Sequence, residues 1–240
     1  PPILPGDTAD AMQRPQAPDQ PRPLRLVFIG QFVHGKRIVE FAEALAGVRA
    51  EMAGAGAAPA AGDGPDLAPT VVLTLVGHGP LRGTLDRLAQ RLGSEPGLSV
   101  EILGPLDHEA LPALLASQDA LVLPSAFETW GMVVNEAMAI GLPVLGSRQA
   151  QAVEEMVRDG REGWVFETGD PDSERRAIAA LLGSTPLRRE RMGRLAPAMA
   201  ARFNEEAVAA RWCALVRELS AQAPAPDEPS GRARLREQVE

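Results

Sequence analysis

Between Leu24 and Ser147, five short runs of almost unbroken apolar residues (LRLVFIG, VVLTLVG, LSVEILG, DALVLPS and PVLGS) each lead into a stretch of helical periodicity. A strand that is apolar at nearly every position is buried on both faces. A helix after each strand carries the chain back to start a parallel neighbour. The pattern therefore predicts an α/β fold, a doubly wound, Rossmann-like parallel sheet with helices on both faces. GWVFE at 163–167 offers one more strand, about six in all, and helical segments follow near 171–183, 186–201 and 204–220.

The flanks and one internal stretch fall outside this alternation. Residues 1–23 hold seven prolines among polar neighbours and are expected to be a linker continuing from an earlier part of a longer chain. The domain proper is expected over 24–220. Ala53–Ala68 is rich in Gly, Ala and Pro without periodicity, which predicts a flexible insertion; residues 221–240 are Pro-rich and then charged, which predicts a frayed tail.

Several function classes drop out on charge and composition. A net charge of -8 with both signs interspersed lacks the basic footprint of nucleic-acid binding. No apolar run approaches the length of a membrane-spanning helix. His34, His78 and His108 show no metal-ligand spacing, so no metal site is expected. The lone Cys213 lies in a helical pattern and is expected to be a small buried hydrophobe.

In open α/β sheets ligands bind beyond the carboxyl ends of the strands, which makes four strand ends candidates. After the first strand, GQFVHGKR offers Gly30 for a tight exit and Lys36 at a helix start, a cation suited to an anion such as phosphate. An ordinary solvated lysine is the alternative. VGHGPLRG, with Gly77, Gly79 and Gly83, approximates a dinucleotide fingerprint, but the next strand does not end in the acid that would hold a ribose. LGPL, including Leu103 and Leu106, offers either a flat slot for a base or a plain turn.

The fourth end, SAFETWGMVVNEAMAIGLPVLGS, carries Glu128 and Glu136 around a predicted helix start near Trp130 or Gly131, with Thr129 as its cap. Gly131 lets a ligand approach closely, and the N–H groups of Gly131, Met132 and Val133 would face it. Along an ideal helix the two carboxylates lie about 12 Å apart. That is too far for a shared-proton pair and suits holding two hydroxyl clusters of one elongated ligand. Taken singly, a first-turn acid and an exposed helix-face acid are the plainer readings.

Taken together and in order, GQFVHGKR, LVGHGPLRGTLDRLA, LGPL, LVLPSAFETWGMVVNEAMAIGLPVLGS and DGREGWVFETGD resemble the C-terminal half of GT-B glycosyltransferases, specifically the retaining enzymes of family 4. The resemblance spans about Leu24 to Leu219, and the two glutamates with seven residues between them are its most specific part. It implies a donor site for a nucleoside-diphosphate sugar and hexosyl transfer to a glycan or lipid acceptor, as in bacterial polysaccharide or glycan biosynthesis. By the resemblance Lys36 contacts the diphosphate, Glu128 faces the sugar and Glu136 holds the ribose. Backbone at Gly131, Met132 and Val133 meets sugar hydroxyls and phosphate, Gly30, Gln31 and Gly77 are further donor-binding positions, and the Leu103–Leu106 turn lies near the base.

No cofactor and no essential metal are implied, and Asp170–Asp172 is expected to be a helix cap turn. The acceptor would be bound by an N-terminal domain outside this chain, with a cytoplasmic location, peripheral at the inner membrane through that half, and a membrane-associated acceptor allowed. Without it the chain is expected to transfer little or nothing. One departure stands out. Gln31 occupies the position where the family usually has Arg, with Arg37 (where the family often has Gly) and Arg148 as candidate replacements. A non-catalytic module that has lost donor binding is the alternative, and an NAD-dependent enzyme is a distant third.

Overall fold

A computed structural model of the chain describes residues 22–54 and 69–222. Nearly all of the expected linker, most of the insertion and most of the tail lie outside the described residues. The chain divides into two units, one running to Ala201 and one from Arg202.

The first unit holds six strands: β1 (Leu24–Ile29), β2 (Val71–Val76), β3 (Leu98–Leu103), β4 (Ala120–Leu123), β5 (Val144–Ser147) and β6 (Gly163–Phe166). All pair in parallel, in the order β3-β2-β1-β4-β5-β6. Leu26, Val27, Phe28, Leu121, Val122, Val144 and Leu145 are all fully buried. Consecutive residues of a strand point to opposite faces, so burial at every position requires cover on both.

That cover comes from α1 (Ile38–Gly54), α2 (Arg82–Gly93), α3 (Leu111–Ala116), α4 (Met132–Ala139), α5 (Gln151–Met156), α6 (Pro171–Leu182) and α7 (Pro186–Ala200). Helix α1 packs on α2 and α6, whereas α4 packs on α3, α5 and α7, giving the two helical layers of a doubly wound fold. Asp170 caps α6 through its Oδ1, which accepts from the N–H groups of Asp172 and Ser173 at 3.0 Å, so the Asp-x-Asp string is a helix start as expected.

The second unit contains α8 (Glu205–Gln222). Asn204 accepts the Ala207 N–H at 2.8 Å at its start, and Arg211 sits 5.6 Å from the Phe203 ring centre. Cys213 is exposed, not buried. Helical periodicity marks an apolar stripe but not what covers it, and a single helix cannot bury its own side chains. No described helix is long and apolar enough to cross a membrane.

Candidate functional site

Strands β1 and β4 are neighbours, but their onward connections lead to opposite sides of the sheet. This is the topological switch point, where the diverging loops open a crevice at the carboxyl ends. The strand order could not be read from the sequence, and it is what makes the first and fourth candidate stretches face each other.

The loop after β1 rests on the turn after β2. The N–H groups of Gly30, Phe32 and Leu81 donate to the carbonyls of Val76, His78 and Phe32 at 3.0, 2.8 and 3.0 Å. Gly77 and Gly79 have φ of 141° and 153°. A Cβ at Gly77 would lie 1.9 Å from the Gly30 carbonyl oxygen, and one at Gly79 2.6 Å from that of Phe32. The glycines resembling a dinucleotide fingerprint thus let two loops pack backbone on backbone. Fully buried Phe32 anchors the β1 loop between exposed Gln31 and a 3-10 turn at His34–Lys36.

The two crevice loops then join. The Ala126 N–H donates to the Gly35 carbonyl at 2.8 Å, and the Lys36 ammonium pairs with Glu128 Oε2. Both side chains are about one-fifth exposed (21% and 20%), buried enough to strengthen their attraction yet open to a ligand. Burial holds the Lys36 amine below its ordinary pKa, against the pull of the nearby carboxylate. Of the chain's 24 Lys and Arg residues Lys36 is the only lysine, a sequence signal that marks it apart from every other cation.

Glu128 is seated from behind. Its N–H donates to the Gln149 carbonyl at 3.2 Å and its carbonyl accepts from Gln151 at 3.1 Å, while Trp130 accepts from the Ala152 N–H at 2.9 Å. Gln149 is itself fixed on both sides. Its Oε1 accepts from the Thr168 N–H and the Ser147 hydroxyl, each at 2.9 Å, and its Nε2 donates to Glu167 at 3.1 Å. Nothing in the local sequence distinguishes Gln149, Ser147 and Thr168 from surface polar residues, and only the neighbouring of β5 and β6 reveals them.

The helix beyond Glu128 starts later than expected. Gly131, not Thr129, caps α4, with φ of 101°. Glu128 has been drawn into a bridge with Ala150, and the chain uses the next three residues to turn back. A Cβ at Gly131 would stand 3.1 Å from Leu123 and 3.3 Å from the Glu128 side chain, so glycine fits both the left-handed turn and the space. Glu136 therefore lies one turn inside α4 rather than nearly two, and the ideal-helix spacing does not describe the two carboxylates. The first-turn N–H groups of Met132 and Val133 have no intrahelical partner. Met132 and Phe127 are exposed at 64% and 76% beside them.

The remaining candidates are spread more widely. Glu136 is half-buried and makes no side-chain hydrogen bond or ion pair with the described residues. Leu103 ends β3 and Leu106 follows it, both half-buried and two strands from β1, about 10 Å across the sheet. Arg37 turns away from the crevice to Glu174, at 3.0 Å. Arg148 pairs with Glu154 and Glu167 at 2.7 and 2.6 Å. Both arginines considered as replacements for the cation missing at Gln31 are thus matched to carboxylates. Among the described residues no three His, Cys, Asp or Glu are grouped to hold a metal.

Comparison with known proteins fits this geometry. The family pattern described as glycosyl transferases group 1 matches residues 11–199. A D-inositol 3-phosphate glycosyltransferase of Corynebacterium urealyticum is 31% identical over 169 residues, 68% of this chain and 39% of that protein. A sucrose-phosphate synthase from Thermosynechococcus elongatus superposes with a TM-score of 0.64 at 25% identity, over 92% of this chain and 50% of its own. HepE from Anabaena, solved with UDP and glucose, gives a TM-score of 0.59 at 23% identity, over 83% of this chain and 48% of its own. The chain thus spans half or less of the length of these relatives.

Proposed function

The chain belongs to the group 1 glycosyl transferases, and from that premise we propose that it is the donor-binding C-terminal half of a retaining family 4 enzyme. It holds a nucleoside-diphosphate sugar whose hexosyl group passes to a glycan or lipid acceptor bound by another part of the enzyme. The observation that carries the proposal is the meeting of Lys36 and Glu128 at the switch point, one from each crevice loop. A sugar diphosphate has an anion for the lysine and hydroxyls for the carboxylate, so one ligand satisfies both when their mutual contact opens.

In the reaction the bond between the sugar's anomeric carbon and the diphosphate breaks, the acceptor oxygen bonds to that carbon on the same face, and the acceptor hydroxyl's proton passes to the departing diphosphate. Negative charge grows on the departing diphosphate. Lys36 and the N–H groups at the start of α4 stabilise it in this reading, an electrostatic contribution that generally dominates at such sites. Glu128 positions the sugar, and Glu136 accepts from the ribose hydroxyls. No metal is required in this scheme. The activity belongs to the whole enzyme, with the acceptor at a membrane surface one case, and this chain alone is expected to bind donor weakly and transfer little.

Titrating the chain with UDP, GDP and ADP and their sugars tests the proposal: at least one should bind, and Glu136→Ala should weaken it while the fold is kept. Unchanged affinity in Glu136→Ala would sink the ribose assignment. A second reading, a folded module that has lost donor binding, is favoured by one observation: Gln31 stands where a cation is expected while Arg37 and Arg148 are occupied. No nucleotide binding by a well-folded chain would select that reading.

A further inference from the structure

Among the described residues Arg37 is the only one other than glycine with a left-handed backbone, at φ 51° and ψ 26°. A Cβ crowds the following carbonyl in that conformation, so glycine is the residue the backbone favours there. The Arg37 side chain runs to the first turn of α6, where its Nη2 donates to Glu174 Oε2 at 3.0 Å, and the two side chains are only 19% and 6% exposed. Arg37 Nη1 and Glu174 Oε1 are buried with no hydrogen-bond partner among the described residues. A buried pair with two unsatisfied atoms is a poor source of stability, because desolvation offsets the attraction. Glycine and an apolar residue would suit the backbone and the interior better, so the effect of the pair lies in what it places.

What it places is Lys36. The Arg37 N–H donates to the His34 carbonyl at 2.9 Å and closes the 3-10 turn, and its carbonyl accepts from the Phe41 N–H at 2.9 Å, tying the turn to α1. Anchoring the guanidinium on α6 fixes the chain rotation at this residue and leaves Lys36, one residue earlier, directed across the crevice to Glu128. Without the anchor two adjacent cations would compete for one carboxylate and for any bound anion.

We infer that Arg37 is a positioning residue: its ion pair with Glu174 holds the left-handed turn that aims Lys36 into the crevice, and keeps the guanidinium itself off the diphosphate. The inference rests on the donor-binding reading for what Lys36 meets, but not for the pair itself.

Because Lys36 is the only lysine, reductive methylation with a carbon-13 label gives a single lysine NMR signal that reports its surroundings. The changes to compare in the 240-residue chain are Arg37→Gly, Glu174→Leu and the two combined, with UDP, GDP and ADP as probes. Each single change should move the Lys36 signal and lower nucleoside-diphosphate affinity about tenfold. The combination seats glycine in the left-handed turn and strands no carboxylate, so affinity should return to within about threefold of the original.

A guanidinium that grips the diphosphate predicts the reverse. Glu174→Leu would then keep or raise affinity and the combined variant would stay as weak as Arg37→Gly, and either result overturns the inference. So does a Lys36 signal unmoved by both single changes. If the original chain binds none of the three nucleotides, the donor-binding reading falls while the Lys36 signal still decides the role of the pair. If Glu174→Leu does not fold, Glu174→Gln, which keeps an acceptor for Arg37, should hold the Lys36 signal nearer its original position than Glu174→Ala; equal displacement by the two overturns the inference.

Discussion

The loop after β4 and the loop after β1 bring one charged group each to the same crevice, but they are held in different ways. Glu128 is fixed by main-chain hydrogen bonds to the turn after β5, whose Gln149 is locked in turn by Ser147 and Thr168. The β1 loop is fixed near its start, where it lies on the glycines after β2, whereas its far end at Lys36 is held by one short turn, the single backbone bond from Ala126 to Gly35 and the side-chain pair of Arg37 with Glu174. The carboxylate has a seat built from backbone, and the cation has one that also leans on a side-chain pair. A backbone seat tolerates changes of side chain nearby; a side-chain seat concentrates its sensitivity in two residues.

The largest expected effect comes from breaking the packing that both loops presuppose. Gly77→Ala places a Cβ against the Gly30 carbonyl, a contact that nothing flexible can relieve, at a φ an L side chain rarely adopts. Urea or thermal unfolding should show a loss of about 4 kcal/mol or failure to fold, and a loss under about 1 kcal/mol would mean the two loops do not pack this closely.

Next in size is the cation itself. Lys36→Met should weaken nucleoside-diphosphate binding by about 1.5–3 kcal/mol, the worth of a charge-assisted donor, as read by calorimetry. The pH dependence has a defined sign. Burial lowers the folded-state pKa of Lys36, so the unfolded chain holds more protons between that pKa and the ordinary one. The contribution of Lys36 to stability therefore rises with pH across that window, below the ordinary lysine value, while nucleotide affinity falls as the amine loses its proton. Lys36→Met should abolish both slopes.

Loosening the seat of the carboxylate comes third. Gln149→Leu removes three side-chain hydrogen bonds and leaves Ser147 and Thr168 with fewer partners, at an expected stability cost of about 1–3 kcal/mol. Because the Glu128 loop keeps its backbone bonds, affinity should fall less than in Lys36→Met; a larger fall would reverse the ranking of the two loops. The smallest effect is expected from Arg148→Ala. Its ion pairs are about half exposed, so stability should change by less than about 1 kcal/mol and affinity hardly at all. A tenfold loss of affinity would identify Arg148 as the stand-in for the cation absent at Gln31.

The alternation of apolar runs with helical periods carried the six parallel strands and the helix after each, because burial on both faces leaves no room for polar positions in a strand. Lys36 and Glu128 were also legible as single residues at strand ends. The start of α4 was not, since Thr129 has the chemistry of a cap, but the bridge from Glu128 to Ala150 holds that segment extended until Gly131. Arg37 was misplaced for a similar reason. Its charge suggested an anion, and its buried partner lies 137 residues away on α6. Periodicity gave Cys213 a helix, but said nothing about whether anything packs on that face.

By itself, then, the sequence determined which segments are strands and helices and which residue types end each strand, because these follow from local periodicity and turn chemistry. Only the tertiary structure decided that β1 and β4 lie side by side, that Lys36 meets Glu128, and that Arg37 faces Glu174 instead of the crevice. Those pairings join residues 92 and 137 positions apart, and which distant groups share a low-dielectric space is set by strand order and helix packing, not by any neighbour in the chain.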